Sequence, residues 1–136
     1  MEKIEQIVKQ RKWANGKLLM KYNSRVFKAV QQLEQATFRD GALPKKVKEL
    51  IAVGISVVNN CESCMQWHIG EAVKDGATER EILEAVEVAF EMGIGPATVN
   101  GRFALEVIDG LFNKAAGGRK KPAPQHRRQK KGKINR

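Results

Sequence analysis

Residues 50–68 read Leu50-Ile51-Ala52-Val53-Gly54-Ile55-Ser56-Val57-Val58-Asn59-Asn60-Cys61-Glu62-Ser63-Cys64-Met65-Gln66-Trp67-His68. Up to Val58 the stretch is apolar on nearly every side, the pattern of a helix buried all round. Its β-branched content also permits a strand, but its length and the Lys- and Glu-rich run from Pro44 that leads into it favour a helix. Asn59-Asn60 then makes a very short link, and short links between helices make antiparallel neighbours. If Asn59 or Asn60 caps the next helix, Cys61 falls in its first turn, Cys64 one turn on and His68 one turn beyond. Offsets of three and four place these three side chains on one helical face. A thiol near a helix N-terminus feels the positive end of the dipole, which favours thiolate. The pair reads as a redox dithiol with an imidazole beside its second sulfur.

The segments on either side read as helix too. Residues 2–20 are amphipathic, with Ile4, Ile7, Val8, Leu18 and Leu19 apolar and Gly16 a weak point. Asn23-Ser24 offers a cap for a helix to about Phe38 that turns Val26, Phe27, Val30 and Leu33 inward. Asp40-Gly41-Ala42-Leu43-Pro44 ends it, and proline suits the first turn of the helix that follows. Downstream, Gly76 is a stop signal. Thr78-Glu79-Arg80-Glu81 is a capping box for a fifth helix with Ile82, Val86, Ala89 and Phe90 inward. That helix ends near Gly93, and Pro96 opens a sixth carrying Val99, Phe103, Val107, Ile108 and Leu111. No strand signal remains. The expected fold is all-α, a compact bundle of about six helices over residues 1–114. Residues 115–136 read as a disordered polybasic tail.

Charge divides the chain at the same place. The 136 residues carry 25 Lys or Arg and 15 Asp or Glu, for a net charge of +10. Residues 113–136 hold ten of the basic residues and no acid, so residues 1–112 balance at 15 and 15. Composition therefore gives the body no case as a nucleic-acid-binding domain. No apolar run is long enough to span a membrane. The start, Met-Glu-Lys-Ile-Glu-Gln, has no apolar signal core, so a cytoplasmic location is expected. In a reducing compartment, two cysteines at CxxC spacing point to redox or metal chemistry rather than to a structural staple.

Glu49 lies ten residues before Asn59 and His68 nine after it. At about 1.5 Å per residue, both sit roughly 14–15 Å from the link, level with one another if the helices face suitably. A carboxylate at the edge of so apolar a helix needs a partner or a raised pKa. A Glu49–His68 pair could supply one and accept a proton from Cys64. Zinc is the rival reading, since Cys61, Cys64, His68 and Glu49 are all acceptable ligands. No second CxxC or HxxxH completes a nitrogen and sulfur site, and neither a metal nor another cofactor is expected. Met65 and Trp67 read as core or subunit-contact residues, and Lys45, Lys46 and Lys48 as a solvated face.

Taken together, these residues resemble a family. Glu49, then Cys61-x-x-Cys64-x-x-x-His68, then Gly76-Ala77-Thr78-x-x-Glu81-Ile82 is similar to the alkylhydroperoxidase D-like branch of the carboxymuconolactone decarboxylase family. Gly41-Ala42-Leu43-Pro44 and Gly93-x-Gly95-Pro96 extend the likeness, which covers roughly residues 25–112. The resemblance implies an all-α domain assembled into trimers or hexamers, and a thiol peroxidase recharged by a disulfide/dithiol reductant. It implies that Cys64 attacks a hydroperoxide, that Cys61 resolves the disulfide, and that Glu49 and His68 relay protons. The cysteine pair sets the chain apart from the decarboxylases of the family. Ser63 departs from the pattern, because the best-known peroxidase members carry a His between the cysteines. A reading of a different class makes the body an oligomeric platform whose basic tails bind nucleic acid or another polyanion. Residues 113–136 contain no aromatic side chain, so such contact would be electrostatic only.

Overall fold

A computed structural model describes residues 1–115. The polybasic tail expected from residue 115 lies, from 116 on, outside the described residues. Helix α1 spans Glu2–Gly16 and widens into a π-helical turn over Lys17–Lys21. Helix α2 spans Arg25–Phe38, α3 Lys45–Val58 and α4 Glu62–Lys74. Helix α5 runs over Glu79–Ala115 but is broken at Ile94, where φ is 43° and ψ is −115°. The break falls between Gly93 and Gly95, just ahead of Pro96. It splits α5 into two arms, so five helices supply six rods. The architecture is all-α, with no strand among the described residues.

Local chemistry sets the helix ends. The Ser24 hydroxyl accepts the Phe27 N–H at 3.1 Å and starts α2. Pro44 stands just before α3 rather than inside it, and the Asp40 carboxylate accepts the Lys45 N–H at 2.7 Å. Gly76 closes α4 at a φ of +83°, a left-handed conformation that glycine adopts without penalty. At α5 the expected capping box forms. Thr78 N–H donates to Glu81 Oε2 at 2.8 Å and Glu81 N–H to Thr78 Oγ1 at 3.2 Å. The Lys46 ammonium, 2.8 Å away, together with the Thr78 N–H and hydroxyl, holds the Glu81 carboxyl down to about 2.

The core lies among α3, α4 and the two arms of α5. Val53 and Val57 meet Met65 and Ile69 of α4, with Ile82 and Val86 from the first arm and Ala104 and Val107 from the second. Where the arms of α5 cross, a β-carbon added at Gly101 would lie 2.2 Å from Cε1 of Phe90, so glycine permits the crossing. The Asn100 amide donates to the Val57 carbonyl at 3.0 Å and ties the second arm to the end of α3.

Three burial expectations fail within the single chain. Val26, Val30 and Leu33 of α2 are exposed, because α2 lies at the periphery with no helix packed over that face. Helix α3 is buried on one side only. Ile51, Ile55 and Val58 stay open beside Val88 and Met92 of α5, lining an apolar groove of about 520 Å³. Val99 is likewise exposed and Leu111 partly so, while Phe103, Val107 and Ile108 are buried as expected. The three lysines read as a solvated face are structural ties. Lys45 pairs with Glu71 and Asp75, Lys46 pairs with Glu81, and Lys48 donates to the carbonyls of Thr37 and Arg39. Among the described residues no helix is long and apolar enough to cross a membrane.

Candidate active site

The α3–α4 link sets the position of the dithiol. Asn59 ends α3 by donating its N–H back to Ile55, and Asn60 turns through a φ of 53°, a left-handed conformation asparagine tolerates. Neither asparagine caps α4, contrary to the sequence reading. Cys61 is itself the cap, and its Sγ accepts the Cys64 N–H at 3.3 Å. The helix therefore begins one residue later than the asparagines suggested, because both are consumed in reversing the chain. Cys61 stands just outside the first turn and Cys64 within it. The two are joined as a disulfide, with Cα atoms 5.2 Å apart.

Glu49 and His68 meet across the α3–α4 contact, with Glu49 Oε2 2.7 Å from His68 Nδ1. Glu49 is only 2% exposed, and among the described residues it and Ser56 are the buried polar ones in an otherwise apolar core. Burial pushes its carboxyl above the usual carboxylate range, and the hydrogen bond from His68 offsets part of that rise. A buried carboxyl hydrogen-bonded to an imidazole is an arrangement that can take up and return a proton. Phe38 of α2 stacks on the His68 ring, 5.1 Å between centroids, and fixes the ring plane.

Cys64, His68 and Glu49 line one cavity of about 660 Å³. Helix α2 forms its opposite wall with Phe27, Val30, Glu34 and Phe38. The four residues singled out in the sequence are thus brought together, three of them on the cavity wall and Cys61 bonded to one of those three. Several wall residues escaped sequence reading. The Trp67 indole N–H donates to Glu34 Oε1 at 2.7 Å and latches α2 to α4, so Trp67 belongs to the cavity rather than to the core. Met65, read in the same way, is fully buried. Arg11 reaches in from α1 and Lys45 from α3. No local signal marked Arg11 or Glu34, because each meets α4 across more than thirty residues of sequence.

Comparison with known proteins bears on the family and the fold. Residues 24–107 match the model of the carboxymuconolactone decarboxylase family. An uncharacterized protein of the cox locus of Paracoccus denitrificans is 43% identical over 77 residues, 57% of this chain and 69% of that protein. An apo-form protein of the family from Legionella pneumophila superposes with a TM-score of 0.76 at 34% identity, covering 82% of this chain and 98% of that one. A family protein from Thermotoga maritima, for which involvement in an antioxidative response has been suggested, gives a TM-score of 0.72 at 28% identity, over 82% of this chain and 93% of that one.

Proposed function

This chain belongs to the carboxymuconolactone decarboxylase family, and from that premise we propose that it is a thiol peroxidase using Cys61 and Cys64 as its redox pair. The observation that carries the reading is a disulfide-forming CxxC at the start of α4 sharing one cavity with the buried Glu49–His68 pair. In the reduced protein the Glu49–His68 pair takes the Cys64 proton. The thiolate attacks one oxygen of a hydroperoxide and the O–O bond breaks. The leaving alkoxide takes the proton back and departs as the alcohol, with Cys64 now a sulfenic acid. The Cys61 thiol then attacks the Cys64 sulfur, an S–S bond forms, and hydroxide leaves with the Cys61 proton as water. The two electrons that reduced the peroxide came from the dithiol, and an external dithiol reductant restores them through a mixed disulfide.

The test is single-turnover oxidation of the reduced protein by hydrogen peroxide and by an organic hydroperoxide. The expected result is one disulfide per peroxide consumed, with a mass loss of two hydrogens, and one alcohol for each organic hydroperoxide or water alone from hydrogen peroxide. Oxidation no faster than that of a free small-molecule dithiol, or a product stopped at sulfinic acid, overturns the reading.

The same reading includes assembly into a trimer or hexamer. Its support is the open apolar groove between α3 and the first arm of α5, since exposed apolar patches of this kind mark contact surfaces. Light scattering at micromolar concentration should return a multiple of the 15.2 kDa chain, and a monomer removes this part of the proposal.

A further inference from the structure

Arg11 lies in α1, ahead of the residues that match the family model. Its guanidinium crosses to α4, where Nη1 donates to the Ser63 carbonyl at 3.1 Å and faces the Ser63 hydroxyl at 3.5 Å, and Nη2 donates to the Gln66 side-chain oxygen. The group also sits over the Trp67 ring, 4.9 Å from its centroid. Every one of these partners is neutral. The ion pairs among the described residues are formed by Lys3, Lys45, Lys46, His68, Lys74 and Arg80, and Arg11 is not in one.

The acids of the same cavity are occupied. Glu49 faces His68, and Glu71 faces Lys45 and Lys74. Glu34, the acid whose charge Arg11 feels, accepts the Trp67 indole N–H. Partial burial pulls the Arg11 pKa down and the charge of Glu34 offsets part of that, and arginine keeps its proton at any working pH. A partly buried guanidinium with five N–H donors, engaged through two nitrogens to neutral acceptors, has the chemistry to receive a carboxylate. It is anchored on Ser63, the residue next to Cys64. The facing wall from α2 offers Phe27, Val30 and Phe38, and about 660 Å³ is far more room than hydrogen peroxide needs.

We infer that Arg11 is a specificity-determining residue of the dithiol cavity, and that it binds the carboxylate of an amphipathic hydroperoxide whose apolar body lies against Phe27, Val30 and Phe38. The inference rests on the peroxidase reading for the reacting group, but the carboxylate contact can be tested apart from it. Iodoacetate and iodoacetamide alkylate the reduced dithiol by the same displacement of iodide, and they differ in a carboxylate against a neutral amide. Their rate ratio cancels changes in thiol acidity and in partial unfolding, which act on both.

In Arg11→Gln the iodoacetate-to-iodoacetamide ratio should fall about tenfold, the size of one charge-assisted hydrogen bond, and Arg11→Lys should keep part of it. In the wild-type protein the ratio should fall as salt is raised. A second arm compares a carboxylate-bearing hydroperoxide with its methyl ester as oxidants, and Arg11→Gln should narrow the preference for the acid by a similar factor. An alkylation ratio within twofold of wild type in Arg11→Gln overturns the inference. A wild-type dithiol inert to both hydroperoxides overturns the peroxidase reading and the hydroperoxide as carrier, while the alkylation ratio still decides whether Arg11 receives a carboxylate.

Discussion

Helices α2 and α4 carry the same apolar spacing and meet opposite fates. Val26, Val30 and Leu33 in α2 recur at i, i+4 and i+7, as do Met65, Ile69 and Ala72 in α4. The α4 stripe is 0% exposed throughout, whereas the α2 stripe is 76%, 52% and 67% exposed. The stripe on α4 faces α3 and α5, which close the core around it, while α2 touches the bundle through polar and aromatic contacts at the dithiol cavity. Amphipathic spacing therefore says that a face seeks cover. It does not say whether the cover is the same chain, another copy or a ligand.

The largest effect expected on either side of this comparison is chemical. Glu49 is buried against α4, so Glu49→Gln and His68→Ala should slow peroxide oxidation of the dithiol by about 10²–10⁴, the range for acid–base assistance. Phe38→Ala on the α2 side removes only the ring stack and should cost far less. Stopped-flow rates with equal losses in all three variants would erase the distinction between the two walls.

Next in size is packing. Ile69→Ala should cost about 2–5 kcal/mol in urea unfolding, the usual cost of deleting a large buried aliphatic side chain. Leu33→Ser should stay within about 0.5 kcal/mol for a monomeric chain, since its side chain is already in water. A large loss from Leu33→Ser accompanied by a fall in particle mass would identify α2 as a face covered by a second copy. Gly101→Ala should cost about 1–3 kcal/mol, because the added carbon meets the Phe90 ring where the arms of α5 cross.

Smaller effects come from protonation, and the two buried and exposed carboxyls have opposite signs. Glu81 is held well below its ordinary value, so its contribution is complete above the ordinary carboxylate range and is lost as pH falls toward about 2. Glu49 is raised, so the folded state binds its proton more tightly, and stability falls as pH rises through the window just above the ordinary carboxylate range. Glu81→Gln should flatten the acid limb of the stability profile, and Glu49→Gln should remove the loss on the other side. The smallest effect concerns residues 117–136, whose deletion should weaken salt-sensitive binding to DNA or RNA without changing dithiol oxidation rates.

Local signals in the sequence determined most of the fold's outline. Ser24 as a cap, the Thr78–Glu81 box, Gly76 as a stop and the Gly93–Pro96 break all act through neighbours a few residues away, so their chemistry is legible without a partner helix. The spacing of Cys61, Cys64 and His68 was legible for the same reason, as was the level of Glu49 once the link was seen to be short. Three things waited for the tertiary structure. The link consumed both asparagines and made Cys61 the cap, because reversing the chain in so few residues needs a left-handed residue at Asn60. Helix α2 left its apolar stripe exposed, with Val30 of that stripe joining Phe27 and Phe38 on the cavity wall. Arg11 joined the site from 52 residues away, through a contact with Ser63. Spacing fixes which side chains share a face, but only packing fixes what that face meets, because the rotation and placement of a helix depend on all its neighbours at once.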